Sequence, residues 1–330
     1  MKLWYKTPPR DWLEGLPIGT GRLAAMVLGT YKRERIALNH EWLWKGVHRN
    51  RDNEVRKQFL PEVRKLLLAG KYEEGTRAAN EAFAGEGGLS WRPGDAVRKP
   101  GRVDSYQPAG DLYLEFNHGC AYDYRRELDL DRAVAAVTYK AMPGKKVTLE
   151  YLPHLVQDLI LVRVRMDGAP FDCAAWLDRN FDRDCDLSFE ALPDMIALNG
   201  RFHGGINFRV QAALWHKAGE CVIYDSRKVH FKQVEEAVLA LNIGVSARGK
   251  TAQQECSESG LRLPADWQEL LRTHIEEHRR HFGSLTLDLP IAEPDVPTDE
   301  RIRLVREGKP DPGLPLLYFN YGRYLLCASS

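Results

Sequence analysis

The sequence predicts a mainly β protein: a large antiparallel sandwich with a helical hairpin near its start and helices towards its end. Three observations predict it. From Tyr106 to about Gly249 apolar residues recur with a period of two, interrupted at short intervals by turn residues. Residues 54–84 and 265–282 switch instead to helical period. The stretch from Gly313 to Ser330 is again apolar at helical spacing. Many short strands without alternating helices mean a sandwich and not a dinucleotide fold, and no G-x-G-x-x-G or P-loop occurs.

In chain order, Leu23-Ala-Ala-Met-Val-Leu-Gly29 and Arg35-Ile-Ala-Leu-Asn39 read as the first strands, approached through Gly15, Gly19 and Gly21. Val55, Phe59, Val63, Leu66 and Leu67 form one helical stripe. Tyr72, Ala79 and Phe83 form another, with Gly70 as the hairpin break. Gly85 to Ser105 is rich in Gly, Pro and charge and reads as a long surface loop. Alternation then marks strands at 111–116, 133–139, 147–152, 159–166, 208–214, 221–224 and 237–243. Pro143-Gly144, Asp167-Gly168 and Asn199-Gly200 are expected as turns between them. Trp267, Leu270, Leu271, His274, Ile275, His278 and Phe282 would line one face of a helix capped by Asp266. In the terminal segment Leu317, Tyr321, Tyr324, Leu325 and Ala328 recur at helical spacing. Little after residue 300 could cover that face, so the chain is expected to enter a second domain and end inside it.

The 330 residues hold 44% hydrophobic residues, enough for a sizeable core. Lys+Arg (47) and Asp+Glu (46) leave a net charge of +1, which argues against nucleic acid or an anionic membrane surface as partner. The six cysteines form no C-x-x-C pair and read as reduced thiols. The first residues lack the apolar core of a signal peptide, and no long apolar span occurs. A soluble, cytoplasmic protein is the expectation.

Several motifs could carry chemistry. His274-Ile-Glu-Glu-His278 puts two imidazoles at i and i+4, a spacing that can hold zinc. Ile275 stands where a metalloprotease needs Glu, which favours packing and surface histidines. The alternate carboxylates of Asp178, Asp182, Asp184 and Asp186 suggest a calcium loop, but the central Gly and trailing Glu are missing and Arg179 and Arg183 neutralise it. A solvated loop is favoured. Paired glycosidase carboxylates cannot be assigned from spacing, and no G-x-S-x-G is present. The sharpest candidate is Leu38-Asn39-His40-Glu41-Trp42-Leu43-Trp44-Lys45-Gly46. Sugars are bound by an aromatic plane against their C–H face and by amide or carboxylate groups on their hydroxyls. The structural alternative is that Trp42 and Leu43 are core and Asn39 satisfies a turn.

From this segment outward the chain resembles glycoside hydrolase family 95, the α-L-fucosidases. The resemblance is carried by Pro17-Ile-Gly19-Thr-Gly21-Arg22 with the strand after it, Glu34 to Gly46, Leu66 to Glu74, Tyr106 to Leu112, Pro297 to Arg301 and Phe319 to Ser330. It implies a β-super-sandwich over 1–262, a helical linker over 263–312, and over 313–330 the first helix of an (α/α)6 catalytic barrel that is cut short. It further implies hydrolysis of α-L-fucosidic bonds with inversion. A general-acid Glu and an Asn–Asp pair that activates water would lie beyond Ser330, so no catalytic residue is expected in this chain.

Asn39, Glu41 and Trp44 are then the expected substrate-side residues. This segment departs from the commoner Asn-Glu-Asp-Thr-Leu-Trp-Ser-Gly pattern at His40, Glu41, Trp42 and Lys45. A shift towards L-galactosides is therefore a close alternative. The resemblance implies no metal or organic cofactor, and as partners a fucosylated glycan and the chain's own barrel, with no nucleic acid or membrane. The rival from another class is a non-catalytic sandwich that binds sugar or mediates assembly, since a related sandwich also fronts enzymes that phosphorolyse disaccharides.

Overall fold

The computed structural model describes residues 1–46, 54–83, 105–247, 249–257, 266–291 and 294–330. Most of the loop expected over Gly85–Ser105, and the domain boundary expected at 262, lie outside the described residues. The chain divides into two compact units, one of Met1–Leu43 with Gln107–Ser330 and one of Trp44–Tyr106.

The larger unit holds, among the described residues, sixteen strands. They are β1 (Lys2–Tyr5), β2 (Leu16–Gly19), β3 (Leu23–Val27), β4 (Arg33–His40), β5 (Gly110–Phe116), β6 (Ala121–Asp129), β7 (Val134–Ala141) and β8 (Lys145–His154), followed by β9 (Leu159–Met166), β10 (Phe171–Asp178), β11 (Cys185–Leu192), β12 (Met195–Phe202), β13 (Asn207–Lys217), β14 (Glu220–Ile223), β15 (Lys228–Val234) and β16 (Glu236–Val245). They form a nine-stranded sheet, β1-β6-β7-β8-β9-β16-β13-β12-β11, and a seven-stranded sheet, β14-β15-β10-β5-β4-β3-β2. Every pairing is antiparallel. The fold class is mainly β, as the sequence predicts.

Alternation decides which side chains meet between the sheets. Ile36 and Leu38 of β4, Leu112 and Leu114 of β5, and Ile160 and Val162 of β9 share the main core. The other face of β9 is also covered. Leu159 and Leu161 pack with Trp267 and Leu270 in a second cluster, which is why apolar residues fill both faces of the first half of β9 before Arg163 and Arg165 restore the alternation. One expected turn is a strand. Asn199-Gly200 lies inside β12, where Gly200 faces Phe208 of β13 and a Cβ would run into its ring.

In the smaller unit, α1 (Leu60–Leu68) and α2 (Tyr72–Phe83) make the predicted hairpin. Gly70 turns it at φ +76°. A short 3₁₀ stretch, Glu54–Phe59, replaces the first turns of the expected first helix. Phe59 and Tyr72 are exposed while Val63 is buried, so the two apolar stripes are only partly covered.

Among the described residues, four α-helices complete the larger unit: α3 (Ala252–Cys256), α4 (Trp267–Phe282), α5 (Thr298–Arg306) and α6 (Gly313–Ser329). Asp266 caps α4, its carboxylate accepting from the Gln268 amide at 2.9 Å. The terminal helix corrects an expectation. It is not left without a partner in this chain, because elements upstream in the sequence cover part of its surface: α6 packs on α4 and β2. Leu317 and Tyr324 join the main core, and the Tyr324 hydroxyl donates to the Pro17 carbonyl at 2.9 Å. Arg323 donates to the Phe282 carbonyl and lies over its ring at 4.4 Å. On the rest of the helix surface Tyr318, Phe319, Leu325 and Leu326 are exposed. No helix among the described residues is long and apolar enough to cross a membrane.

Candidate functional site

The candidate segment begins where β4 ends. Glu34, Ile36, Leu38 and His40 point inward, and Arg33, Arg35, Ala37 and Asn39 point outward. His40 is the last inward residue and is fully buried. Burial, reinforced by the charge of Arg22, holds it down at about 4, so the ring is neutral at ordinary pH. Its Nδ1 accepts from the Trp42 amide at 3.0 Å, and its carbonyl accepts from the Leu43 amide at 3.0 Å. This turn sends Leu43 into the core and leaves Trp42 43% exposed. The Trp42 indole donates to Glu41 Oε1 at 2.7 Å, which fixes the ring beside a carboxylate. Trp42 is therefore a surface aromatic and not the core residue of the structural alternative.

The neighbouring turn supplies charge. Arg22 Nε lies 2.8 Å from Asp158 and its Nη1 3.3 Å from Glu255. Thr20 Oγ1 donates to Asp158 at 2.6 Å, and Glu255 accepts from the Val245 amide at 2.6 Å. The Arg22 carbonyl accepts from the Glu41 amide, and the Gly21 amide donates to the Ala328 carbonyl of α6. Gly21 has φ +90°, a conformation that favours glycine. The Gly19-Thr-Gly21 turn thus seats the end of α6 next to the Asn39–Trp42 turn.

A second rim element follows β10. Asp178 faces Asp111 of β5, which faces Ala37 of β4. Burial raises the Asp111 carboxyl, opposed by its contacts with Arg35 at 3.1 Å and the Tyr113 hydroxyl at 3.3 Å. Arg179 is buried over the rings of Phe202 and Phe208 and donates to the Pro108 carbonyl and Gln107 Oε1, both at 3.1 Å. Two residues on, Phe181 is 91% exposed. In the sequence Arg179 stands as a neutralising loop charge, and no pattern singles out Phe181. Only the burial pattern of the folded sheets distinguishes Arg179 from the exposed Arg183.

The other motifs serve the fold. His274 Nε2 donates to the Arg132 carbonyl at 2.9 Å and His278 Nε2 to the Leu130 carbonyl at 2.8 Å, so both imidazoles satisfy loop backbone. In the calcium-like run, Asp182 accepts from the Asp184 amide while Asp186 pairs with Arg201 and His203. Among the described residues no group of three or more His, Cys, Asp or Glu is placed to hold a metal ion.

Of the expected substrate-side residues, Asn39 and Glu41 flank the same β4 turn. Trp44 belongs to the smaller unit, where it bridges to Tyr106 and packs edge-on at 5.2 Å.

Comparison with known proteins decides the family. Residues 3–250 match the model of the glycosyl hydrolase family 65, N-terminal domain. The chain belongs to that family. Residues 266–330 match the glycosyl hydrolase family 95 catalytic domain. A family 65-type sandwich followed by a family 95 segment is the family 95-like arrangement that the sequence resemblance implies. The chain is 25% identical to "Alpha-L-fucosidase 2" of Arabidopsis thaliana over 100% of this chain and 42% of that protein. It is 25% identical to "Probable alpha-fucosidase A" of Aspergillus oryzae over 96% of this chain and 45% of that protein. It thus spans less than half the length of these curated relatives. Among solved structures, "Putative kojibiose phosphorylase from human microbiome" shares the fold at a TM-score of 0.50 and 9% identity, over 85% of this chain and 38% of that one.

Proposed function

We propose that this chain is the N-terminal portion of a glycoside hydrolase that cleaves terminal α-L-fucosidic bonds with inversion. The observation that carries the reading is the order of the two family matches, with α6 of the catalytic-domain segment ending against the turn beside Asn39–Trp42. The names of the Arabidopsis and Aspergillus relatives support the substrate class. In this reading residues 1–262 are the sandwich domain, 263–312 the linker and 313–330 the start of the catalytic barrel. The exposed apolar residues of α6 then mark the face that further barrel helices cover.

The chain's own residues bind and orient. Asn39, Glu41 and Trp44 contact the substrate, while the general acid and the water-activating pair come from the barrel. Neutral His40 and the paired Arg22 leave this edge without a strong positive field, which suits an uncharged sugar.

The test compares wild type with Asn39→Ala, Glu41→Gln and Trp44→Ala, expressed from the complete reading frame and assayed on aryl α-L-fucoside and aryl α-L-galactoside. A fall of about tenfold or more in kcat/KM is expected for each variant. Unchanged values remove that residue from the site. A preference for the galactoside moves the assignment to α-L-galactosidase, consistent with the departures at His40 and Glu41.

A further inference from the structure

Resting on that reading, we propose that the ends of β4 and β10 form one carbohydrate subsite in which Phe181 stacks on a leaving-group sugar of the substrate. The sheet register places the two ends together. β4 and β10 both pair antiparallel with β5, so they run in the same direction and finish at the same edge. The row Ala37–Asp111–Asp178 crosses the three strands, and two strand spacings separate β4 from β10 by about 10 Å. Beyond this row the outward positions carry Asn39 on one side and Asn180 on the other, followed by the exposed rings of Trp42 and Phe181.

Phe181 is held on a fixed support. Arg179 locks the loop to the segment that leads into β5 through Pro108 and Gln107, and the Asp182 carbonyl and carboxylate accept from the Cys185 and Asp184 amides. An aromatic ring 91% exposed on an anchored loop presents its face to solvent at a low entropy cost of binding. Trp42 is likewise fixed by Glu41. Two rings at the edge of a floor of amides and carboxylates match the apolar face and the hydroxyl edge of a pyranose. Arg22 and Arg35 at this edge are ion-paired with Asp158 and Asp111, so the floor favours a neutral sugar over an anionic one.

The test is calorimetric titration of the 330-residue chain with 2′-fucosyllactose, lactose, cellotriose and free L-fucose. Phe181→Ala, Phe181→Trp and Trp42→Ala are compared with wild type, with thermal unfolding run alongside to establish that each variant is folded. The proposal expects oligosaccharide binding that weakens about tenfold in Phe181→Ala and recovers in Phe181→Trp, with any binding of free L-fucose unchanged. It is overturned if Phe181→Ala leaves oligosaccharide affinity within twofold of wild type, or if the wild-type chain binds none of the oligosaccharides. Phe181-dependent oligosaccharide binding together with no fucoside hydrolysis by the complete protein keeps the subsite and removes the fucoside reading. Fucoside hydrolysis by the complete protein with Phe181-independent binding removes the subsite alone.

Discussion

The backbone amide of Gly21 donates to the carbonyl of Ala328 at 3.0 Å, tying the β2–β3 turn to the last turn of α6. Tyr324, 307 residues down the chain from Pro17, donates its hydroxyl to the Pro17 carbonyl at 2.9 Å. The two bonds seat α6 on the sandwich and bring the segment that matches the family 95 model to the edge that bears Asn39.

This docking is measurable. A Cβ at Gly19 would run into the Ala328 carbonyl oxygen, which is backbone and has little freedom to move. Gly19→Ala should cost about 1–3 kcal/mol, and Tyr324→Phe, which removes a single buried hydrogen bond, about 1 kcal/mol. Urea unfolding should show lower midpoints for both. Midpoints equal to wild type would mean that α6 is not seated as described.

Glu34 gives the fold a pH dependence. It is fully buried, and burial pushes its carboxyl from 4.5 to about 8, although the Gly29 amide donates to it at 2.8 Å. Between those two values the folded chain keeps a proton that the unfolded chain has lost. The contribution is fully present below pH 4.5 and is lost as pH rises towards 8, on the order of a few kcal/mol. Glu34→Gln should flatten this alkaline decline in the unfolding free energy between pH 5 and 8; an unaltered slope would show that Glu34 is ionised in the fold.

Two buried histidines act in the opposite sense. Burial, with the charges of neighbours Arg22 and His278, holds His40 at about 4 and His274 at about 3, against 6.5 in the unfolded chain. Their contribution is present above pH 6.5 and is lost as pH falls through those folded values. His274→Leu should reduce the acid sensitivity while leaving the Arg132 carbonyl without its donor, at a cost of about 1–3 kcal/mol at neutral pH. The same imidazole is engaged with backbone, so EDTA should leave the melting temperature unchanged. A drop of several degrees with chelator would point to a bound metal.

Gly200 faces the ring of Phe208 inside the nine-stranded sheet. Gly200→Val, which on propensity alone should favour a strand, is expected to destabilise by more than about 2 kcal/mol because the ring has to leave its place. A stabilised Gly200→Val variant in a thermal melt would contradict that packing.

Four of the six described α-helices and nine of the sixteen described strands were readable from periodicity; α3 and α5, five and nine residues long, are too short to show a helical period. α4 shows the periodicity best: Trp267, Leu270, His274, His278 and Phe282 are its buried face, and most of the remaining positions are charged. β10 escapes the same reading for a physical reason. Its outward Trp176 stacks on Tyr113 at 5.1 Å and is covered by Lys228 at 4.1 Å, so apolar residues occupy both faces and the alternation vanishes. β11 does alternate, but it begins within the Asp- and Arg-rich run that reads as a loop. The Asn39–Trp42 turn was legible because two Trp, an amide and a carboxylate crowd one strand end. Arg179 and Phe181 were not, since burial of the one and exposure of the other depend on Phe202, Phe208 and Gln107 from distant parts of the chain.

The central claim is the α-L-fucosidase reading, and proton NMR of 2′-fucosyllactose treated with the protein from the complete reading frame tests it most directly. The account predicts release of L-fucose that appears first as the β anomer and then mutarotates. Absence of any fucose release under conditions where the protein is folded, or first appearance of the α anomer, would contradict it.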